Sequence, residues 1–205
     1  MPALPLIDGP DPARIADALA VAGACRVAGF PDAAATAALR ADLLRLREAG
    51  ILREAAVGHG RDKAQRRDIR GDSTLWLDDD ACGDAARGFL AQLDALRTGL
   101  NRELFLGATE VEAHYACYPP GAFYRRHRDR FRDDDVRVVS VVGYLNDDWT
   151  EGDGGALRLY LPDGEKIDVP PQAGASVVFR SELEHEVLPA TRQRLSIAAW
   201  MRRRA

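Results

Sequence analysis

At 205 residues, 46% hydrophobic and 29% charged, the chain can bury a full core without disulfide or metal staples, which excludes a disordered polypeptide and a small stapled scaffold. With 28 Lys and Arg against 32 Asp and Glu the net charge is -4, so the bulk basic field of a nucleic-acid binder is absent. No run approaches the ~18 consecutive apolar residues of a membrane-spanning helix.

The amino-terminal MPALPLIDGP lacks the basic flank and apolar stretch of a secretory leader. Three widely spaced cysteines, Cys25, Cys82 and Cys117, form no C-x-x-C pair, so a reducing, cytoplasmic location is expected. Asp11 or Asp8 caps a predicted helix over Pro12–Val21. Asp32 caps a second over Ala33–Ala49, ended by Gly50. A third runs from about Ala81 to Glu103, with Phe89, Leu90, Leu93, Leu96 and Leu100 on one stripe. Between the second and third lies a basic, glycine-flanked loop, Gly58–Arg67, read as a candidate flap or a solvated loop; His59 within it reads as exposed.

From about Thr109 short β-rich runs alternate with turn clusters: VEAHYACY, VRVVSVVGYL, ALRLYL, KIDV, ASVVF and RLSIAAWM. The expected fold is α+β with a mainly β core: one antiparallel double sheet with helices packed outside. A single domain over 1–205 is expected, with helical support over 1–108 and the β core over 109–205. GDGG (Gly152–Gly155) reads as a hairpin turn, and the tail RRRA reads as frayed.

The sharpest chemical pattern is His127-x-Asp129 with His185 far downstream. In extended backbone, residues two apart face the same way, so His127 and Asp129 can share one ion and His185 can close a facial triad. Two imidazoles and one carboxylate leave coordination positions free, which suits Fe(II). A solvated charged face is the alternative for RRHRDR. In the last strand Arg194, Ser196, Ala198 and Trp200 share one face, while Leu195, Ile197, Ala199 and Met201 make the other apolar. Arg194 therefore needs an anion: either a carboxylate ligand or an internal partner such as Glu182 or Glu184.

The strings YPPGAFYRRHRD, GYLNDDW, GGALRLY and HEVLPATRQRLSIAAW, preceded by DIRGD (Asp68–Asp72) and Trp76, resemble the Fe(II)/2-oxoglutarate-dependent oxygenases. More narrowly they are similar to prolyl 4-hydroxylases of the hypoxia-sensing type and their bacterial relatives. The resemblance implies a double-stranded β-helix, or jelly roll. It implies Fe(II) on His127, Asp129 and His185, with Arg194 and Tyr144 on the distal carboxylate of 2-oxoglutarate and Tyr118 near its metal-proximal end. It places Arg137, Trp200, Trp76, Arg70 and Asp72 at the substrate mouth, with Asp72 pairing with Arg137. The implied chemistry consumes O2 and 2-oxoglutarate and releases succinate and carbon dioxide while hydroxylating a prolyl residue, with ascorbate as a candidate addition. The implied partner is a protein bearing the target proline, elongation factor Tu being one candidate; neither nucleic acid nor membrane is implied. Competing readings are an oxygenase of a free amino acid or small metabolite, a non-catalytic metal- or carboxylate-binding jelly roll, and a zinc hydrolase.

Three departures bear on these roles. Strict alternation puts Arg137 and Tyr144 on opposite faces unless a bulge intervenes. Ala198 stands where the relatives usually show a hydroxyl residue. His114 shares a face with Tyr118, where the relatives are apolar; it reads as a satisfied interior histidine or as a polar group on the pocket wall.

Overall fold

The computed structural model describes residues 3–55, 66, 68–130 and 136–204. In chain order the elements are β1 (Leu6–Asp8), α1 (Pro12–Val21), β2 (Ala24–Ala28), α2 (Ala33–Glu48), β3 (Arg53–Glu54), β4 (Ser73–Trp76) and α3 (Asp84–Leu104). Then follow β5 (Ala108–Tyr118), β6 (Tyr124–His127), β7 (Arg137–Tyr144), β8 (Leu157–Tyr160), β9 (Lys166–Val169), β10 (Ala175–Arg180), β11 (Glu184–Val187) and β12 (Arg194–Arg203).

The helices begin where side chains satisfy their free amides. The Asp11 carboxylate accepts from Ala13 and Arg14 N–H with Pro12 in the first turn, and Asp32 accepts from Ala35 N–H. The third helix starts later than its apolar stripe implied. Asp79 first holds Ala81 N–H in a turn, and Gly83 N–H is then taken by the Asp42 carboxylate of α2. Asp42 also accepts from the Tyr115 hydroxyl, so one buried carboxylate pins α2, the head of α3 and β5 together.

Among the described residues twelve strands form two sheets. The larger has the order β1-β2-β10-β7-β12-β5-β4-β3 and the smaller β6-β11-β8-β9. The first half, read as helical, supplies four strands to the edges of the large sheet. They are two to five residues long, too short to carry a periodic signal. The helices cover one face of the large sheet, where Ile15, Leu43, Phe89 and Leu96 meet Val139, Val141, Ile197 and Met201. The other face packs on the small sheet through Tyr118, Tyr144, Val177 and Phe179 against Leu157, Leu159 and Val169. This layering is why β12 is buried on both sides, with Leu195, Ile197, Ala199 and Met201 toward the helices.

Two sequence expectations need correction. GDGG is no hairpin: β7 and β8 lie in different sheets, and the segment between them crosses over through a short 3-10 turn at Glu151–Asp153. The tail does not fray from Arg202. β12 runs to Arg203, whose N–H bonds Val136 C=O, while Arg202 pairs with Glu110 and Glu112. The loop Gly58–Arg67, His59 included, lies outside the described residues except for Arg66, which forms a two-pronged pair with Asp68.

Candidate active site

Sheet register brings the two distant histidines together. In the β11–β6 ladder His185 stands directly opposite His127, and the rings lie 4.2 Å apart. Asp129 follows just beyond the end of β6, with its oxygens 3.7 Å from His127 Nε2 and 3.5 Å from His185 Nε2. One ligand atom from each of the three lies within 4.8 Å of the others.

The tautomers are fixed from behind. His127 Nδ1 is 2.7 Å from Arg125 C=O, and His185 Nδ1 is 3.1 Å from Leu183 C=O. A carbonyl only accepts, so each Nδ1 carries the proton and each Nε2 turns its lone pair toward Asp129. Burial and the facing His185 depress His127 to about 3, so its imidazole is neutral near pH 7, the form that could hold a metal. Burial opposes charge on Asp129, but the two imidazoles, Arg137 and Trp200 outweigh it and hold the carboxyl below the usual carboxylate range. The Trp200 indole N–H lies toward this carboxylate without completing a hydrogen bond. The Ser140 hydroxyl does complete one, at 2.7 Å from Asp129 Oδ2.

Arg194 is 1% exposed, yet among the described residues no carboxylate meets it. Its Nε donates to Gly155 C=O at 2.9 Å and its Nη1 to the Ser196 hydroxyl at 2.9 Å, leaving Nη2 without a partner. Glu182 and Glu184, the internal candidates, are engaged by Arg180 and Arg130 and by Arg126 and Arg128. The guanidinium sits 5.2 Å from the Tyr118 ring and 5.4 Å from the Tyr144 ring. The Tyr144 hydroxyl is buried and also lacks a partner; burial pushes the phenol up to about 12 against Arg194 and Arg26, so it remains a donor. Gly155 has φ +69, and a Cβ there would stand 2.9 Å from Ala190 Cβ and 3.4 Å from Arg194 Cδ, so only glycine lets this loop close over the arginine.

His127, Asp129, His185, Arg194 and Tyr118 line one cavity of about 470 Å³, within the usual size for small-molecule sites. Arg70, Trp76, Arg137 and Trp200 line it too, whereas Asp72 and Tyr144 are not among its wall residues, and the expected pairing of Asp72 needs correction. Asp72 pairs with Arg70, not Arg137: the Arg70 fork meets both its oxygens at 2.6 and 2.8 Å. Arg137 instead pairs with Glu112 at 2.5 Å and stacks on Trp200 at 3.8 Å. A local partner across Gly71 wins over a distant one. Trp76, 44% exposed, stands edge-on to Trp200 and His114. The anticipated bulge exists: Met201 faces Val139 but Arg202 faces Arg137, so Val138 is the extra residue and Arg137 returns to the cavity side. His114 proves to be both things considered for it, a buried, hydrogen-bonded histidine and part of the cavity wall.

Sequence reasoning missed three supporting residues. Ser140 holds Asp129. Tyr124 stacks on His127 with centroids 3.6 Å apart. Asn146 takes Leu195 N–H at 2.6 Å and donates to Leu195 C=O and Pro171 C=O, clamping the backbone beside Arg194. A lone serine in the valine run, on the face shared with Tyr144, was the one visible signal.

Comparison with known proteins agrees with this geometry. Residues 113–202 match the model of the 2OG-Fe(II) oxygenase superfamily. A prolyl-4-hydroxylase from Pseudomonas putida superimposes with a TM-score of 0.85 at 48% identity, covering 94% of this chain and 99% of that one. A prolyl hydroxylase from Trichoplax adhaerens, solved with a hypoxia inducible factor oxygen degradation domain peptide, gives 0.81 at 28% identity, covering 92% and 87%. Human Egl nine homolog 1 is 34% identical over 145 residues, which is 65% of this chain and 33% of that protein. Mouse prolyl hydroxylase EGLN3 is 31% identical over 160 residues, 74% of this chain and 66% of that protein. This chain thus spans a third to two thirds of those curated relatives. The double-stranded β-helix, the clustered His127, Asp129 and His185, and near-complete overlap with a bacterial prolyl-4-hydroxylase place the chain in the 2-oxoglutarate–Fe(II) oxygenase superfamily, in its prolyl hydroxylase branch.

Proposed function

We propose that the protein is an Fe(II)- and 2-oxoglutarate-dependent dioxygenase that hydroxylates a prolyl residue in a protein substrate. The observation that carries this reading is the buried Arg194 guanidinium, uncompensated among the described residues, in the same cavity as two Nε2 lone pairs and a carboxylate. A buried arginine without an anion is unfavourable unless a ligand supplies one, and a planar fork suits a carboxylate. A zinc hydrolase would leave Arg194 and Tyr144 without a task.

In this reading His127, Asp129 and His185 hold Fe(II), and the metal with 2-oxoglutarate and O2 supplies the oxidising power for C–H hydroxylation. Arg194 and the Tyr144 hydroxyl take the distal carboxylate, and Tyr118 walls the inner end. Burial of Asp129, His185 and Arg194 limits water at the reacting centre. Arg137, held flat on Trp200, and the exposed Trp76 present a broad mouth suited to a polypeptide segment rather than a free amino acid. The peptide on the Trichoplax relative favours the same choice here. Three free, buried cysteines suit a reducing, cytoplasmic location.

The test is incubation with Fe(II), 2-oxoglutarate and purified elongation factor Tu or bacterial extract, followed by mass mapping. One oxygen atom gained on a defined proline is the expected result. Oxidation confined to free amino acids would replace this reading with the small-metabolite one. His127→Ala or Asp129→Ala abolishes succinate formation, whereas Arg137→Ala chiefly slows substrate turnover.

A further inference from the structure

His114 is buried in β5 and touches no metal ligand, yet its surroundings fix it at every polar atom. Its Nδ1 lies 2.9 Å from Tyr115 C=O and therefore carries the proton. Its Nε2 lies 3.3 Å from Arg70 Nη2, a group that can only donate, so Nε2 accepts. The two contacts specify the same neutral tautomer. Trp76 and Trp200 hold the ring at 5.3 and 5.2 Å.

The partner, Arg70, stands over the cavity mouth between the sheets. Its ion pair with Asp72 joins residues two apart on one segment, which runs on directly into β4 of the large sheet. Backbone bonds from Gly71 to Phe123 and from Arg125 to Ile69 tie the segment to the β6 side, and the Arg70 guanidinium lies 4.8 Å from the Tyr124 ring. The hydrogen bond to His114 adds a side-chain tie from this segment to β5, beyond its continuation into β4. The segment thus touches β6 through Tyr124, which stacks on His127, and β5 through His114.

We propose that His114 is a positioning residue that acts through Arg70 as a clasp between the two sheets, setting the width of the substrate mouth and the seating of Tyr124. The substrate consequence rests on the protein-hydroxylase reading above; the clasp itself does not.

The test compares His114→Met, similar in bulk but with no acceptor for Arg70, with His114→Gln, which restores one. Hydrogen exchange on the full-length protein reads the Gly71 and Arg125 amides. The expected result is exchange about tenfold faster in His114→Met, near wild type in His114→Gln, and unchanged protection in β12. Arg70→Lys, which keeps the charge and loses the fork, should reproduce the Met pattern and serves if His114→Met does not fold. With elongation factor Tu as the probe, His114→Met raises KM about tenfold while kcat stays within about twofold, and Gln restores it. Wild-type exchange rates in both His114→Met and Arg70→Lys, or a Gln variant as impaired as Met, would overturn the clasp. Elongation factor Tu left unmodified by the wild type would count against the substrate reading while the exchange data still decide the clasp.

Discussion

Ser140→Ala isolates the support of Asp129, the proposed acidic ligand. Asp129 is ionised and only accepts, so the single Ser140 proton goes to Asp129 Oδ2 at 2.7 Å. Ser181, 2.9 Å from the Ser140 oxygen, must then donate to it. The result is a buried chain from Ser181 through Ser140 to Asp129, all three nearly inaccessible to solvent. A hydrogen bond to a charged acceptor contributes about 1.5–3 kcal/mol, equivalent to an upward shift of about 1–2 pKa units when it is lost. Starting from about 2, Asp129 would still be ionised at pH 7, so protonation is not the route to damage there. The carboxylate instead loses its orientation, and loss of such a support typically weakens metal affinity about 10–100-fold. Anaerobic calorimetric titration with Mn(II), a redox-stable stand-in for Fe(II), measures this directly, with Ser140→Thr as the hydroxyl-retaining control. An unchanged Mn(II) affinity in Ser140→Ala would refute the argument that Asp129 needs this donor.

Arg194→Met should separate ligand binding from stability. Replacing a buried, unneutralised charge by an apolar side chain of similar length stabilises the ligand-free protein by about 1–4 kcal/mol, while the 2-oxoglutarate-induced rise in Tm disappears. In the wild type that rise corresponds to about 2.7 kcal/mol at a hundredfold excess over Kd. Thermal melts with and without 2-oxoglutarate read both effects, and a ligand shift surviving in the variant contradicts the socket. His114 should write a pH dependence into the apoprotein. Burial and the neighbouring Arg70 lower it from 6.5 to about 4, so the folded state binds fewer protons than the unfolded one between those values. Its contribution is complete above pH 6.5 and falls by about 3 kcal/mol as pH drops through 6.5 toward 4. Denaturant titrations at several pH values should show a shallower slope in His114→Met than in the wild type; equal slopes would be inconsistent with a neutral buried imidazole. Asp42→Leu should cost about 2–4 kcal/mol in urea unfolding, because Gly83 N–H and the Tyr115 hydroxyl lose a charged acceptor together. A loss under about 0.5 kcal/mol would show that the node is replaceable by water.

How much of this was legible depended on the length scale of each signal. Helices announced themselves through caps and stripes, and Pro12–Val21 falls on its predicted bounds because Asp11 and Pro12 fix its first turn. His127, Asp129, His185 and Arg194 were legible because charged residues in β-rich surroundings require a chemical reason. Register was not: nothing in the two segments states that His185 faces His127, and that pairing follows from how β11 inserts between β6 and β8. Nor was the position of the bulge, since Val138 differs from its valine neighbours only in lacking a partner on β12. The Asp72–Arg137 pairing failed because a bidentate partner stood two residues away on the same segment.

The distribution of unsatisfied polar groups ties these points together. The fold spends three hydrogen bonds of Asn146 to hold the backbone beside Arg194, and two more to orient its Nε and Nη1. Yet it leaves Arg194 Nη2, the Tyr144 hydroxyl and the Trp200 indole N–H bare on the same side of the large sheet. Each buried donor left unmade costs about 1–3 kcal/mol. The Nε atoms of Arg26, Arg40 and Arg202 are bare as well, but only Arg194 has its whole charge buried, and a single carboxylate from Glu182 or Glu184 would have neutralised it. Those glutamates are instead held at the surface by Arg126, Arg130 and Arg180. In the proposed reading, the bare Arg194 Nη2 and Tyr144 hydroxyl are satisfied when an acceptor-rich dianion enters beside them, which offsets the cost of leaving them unpaired in the ligand-free protein.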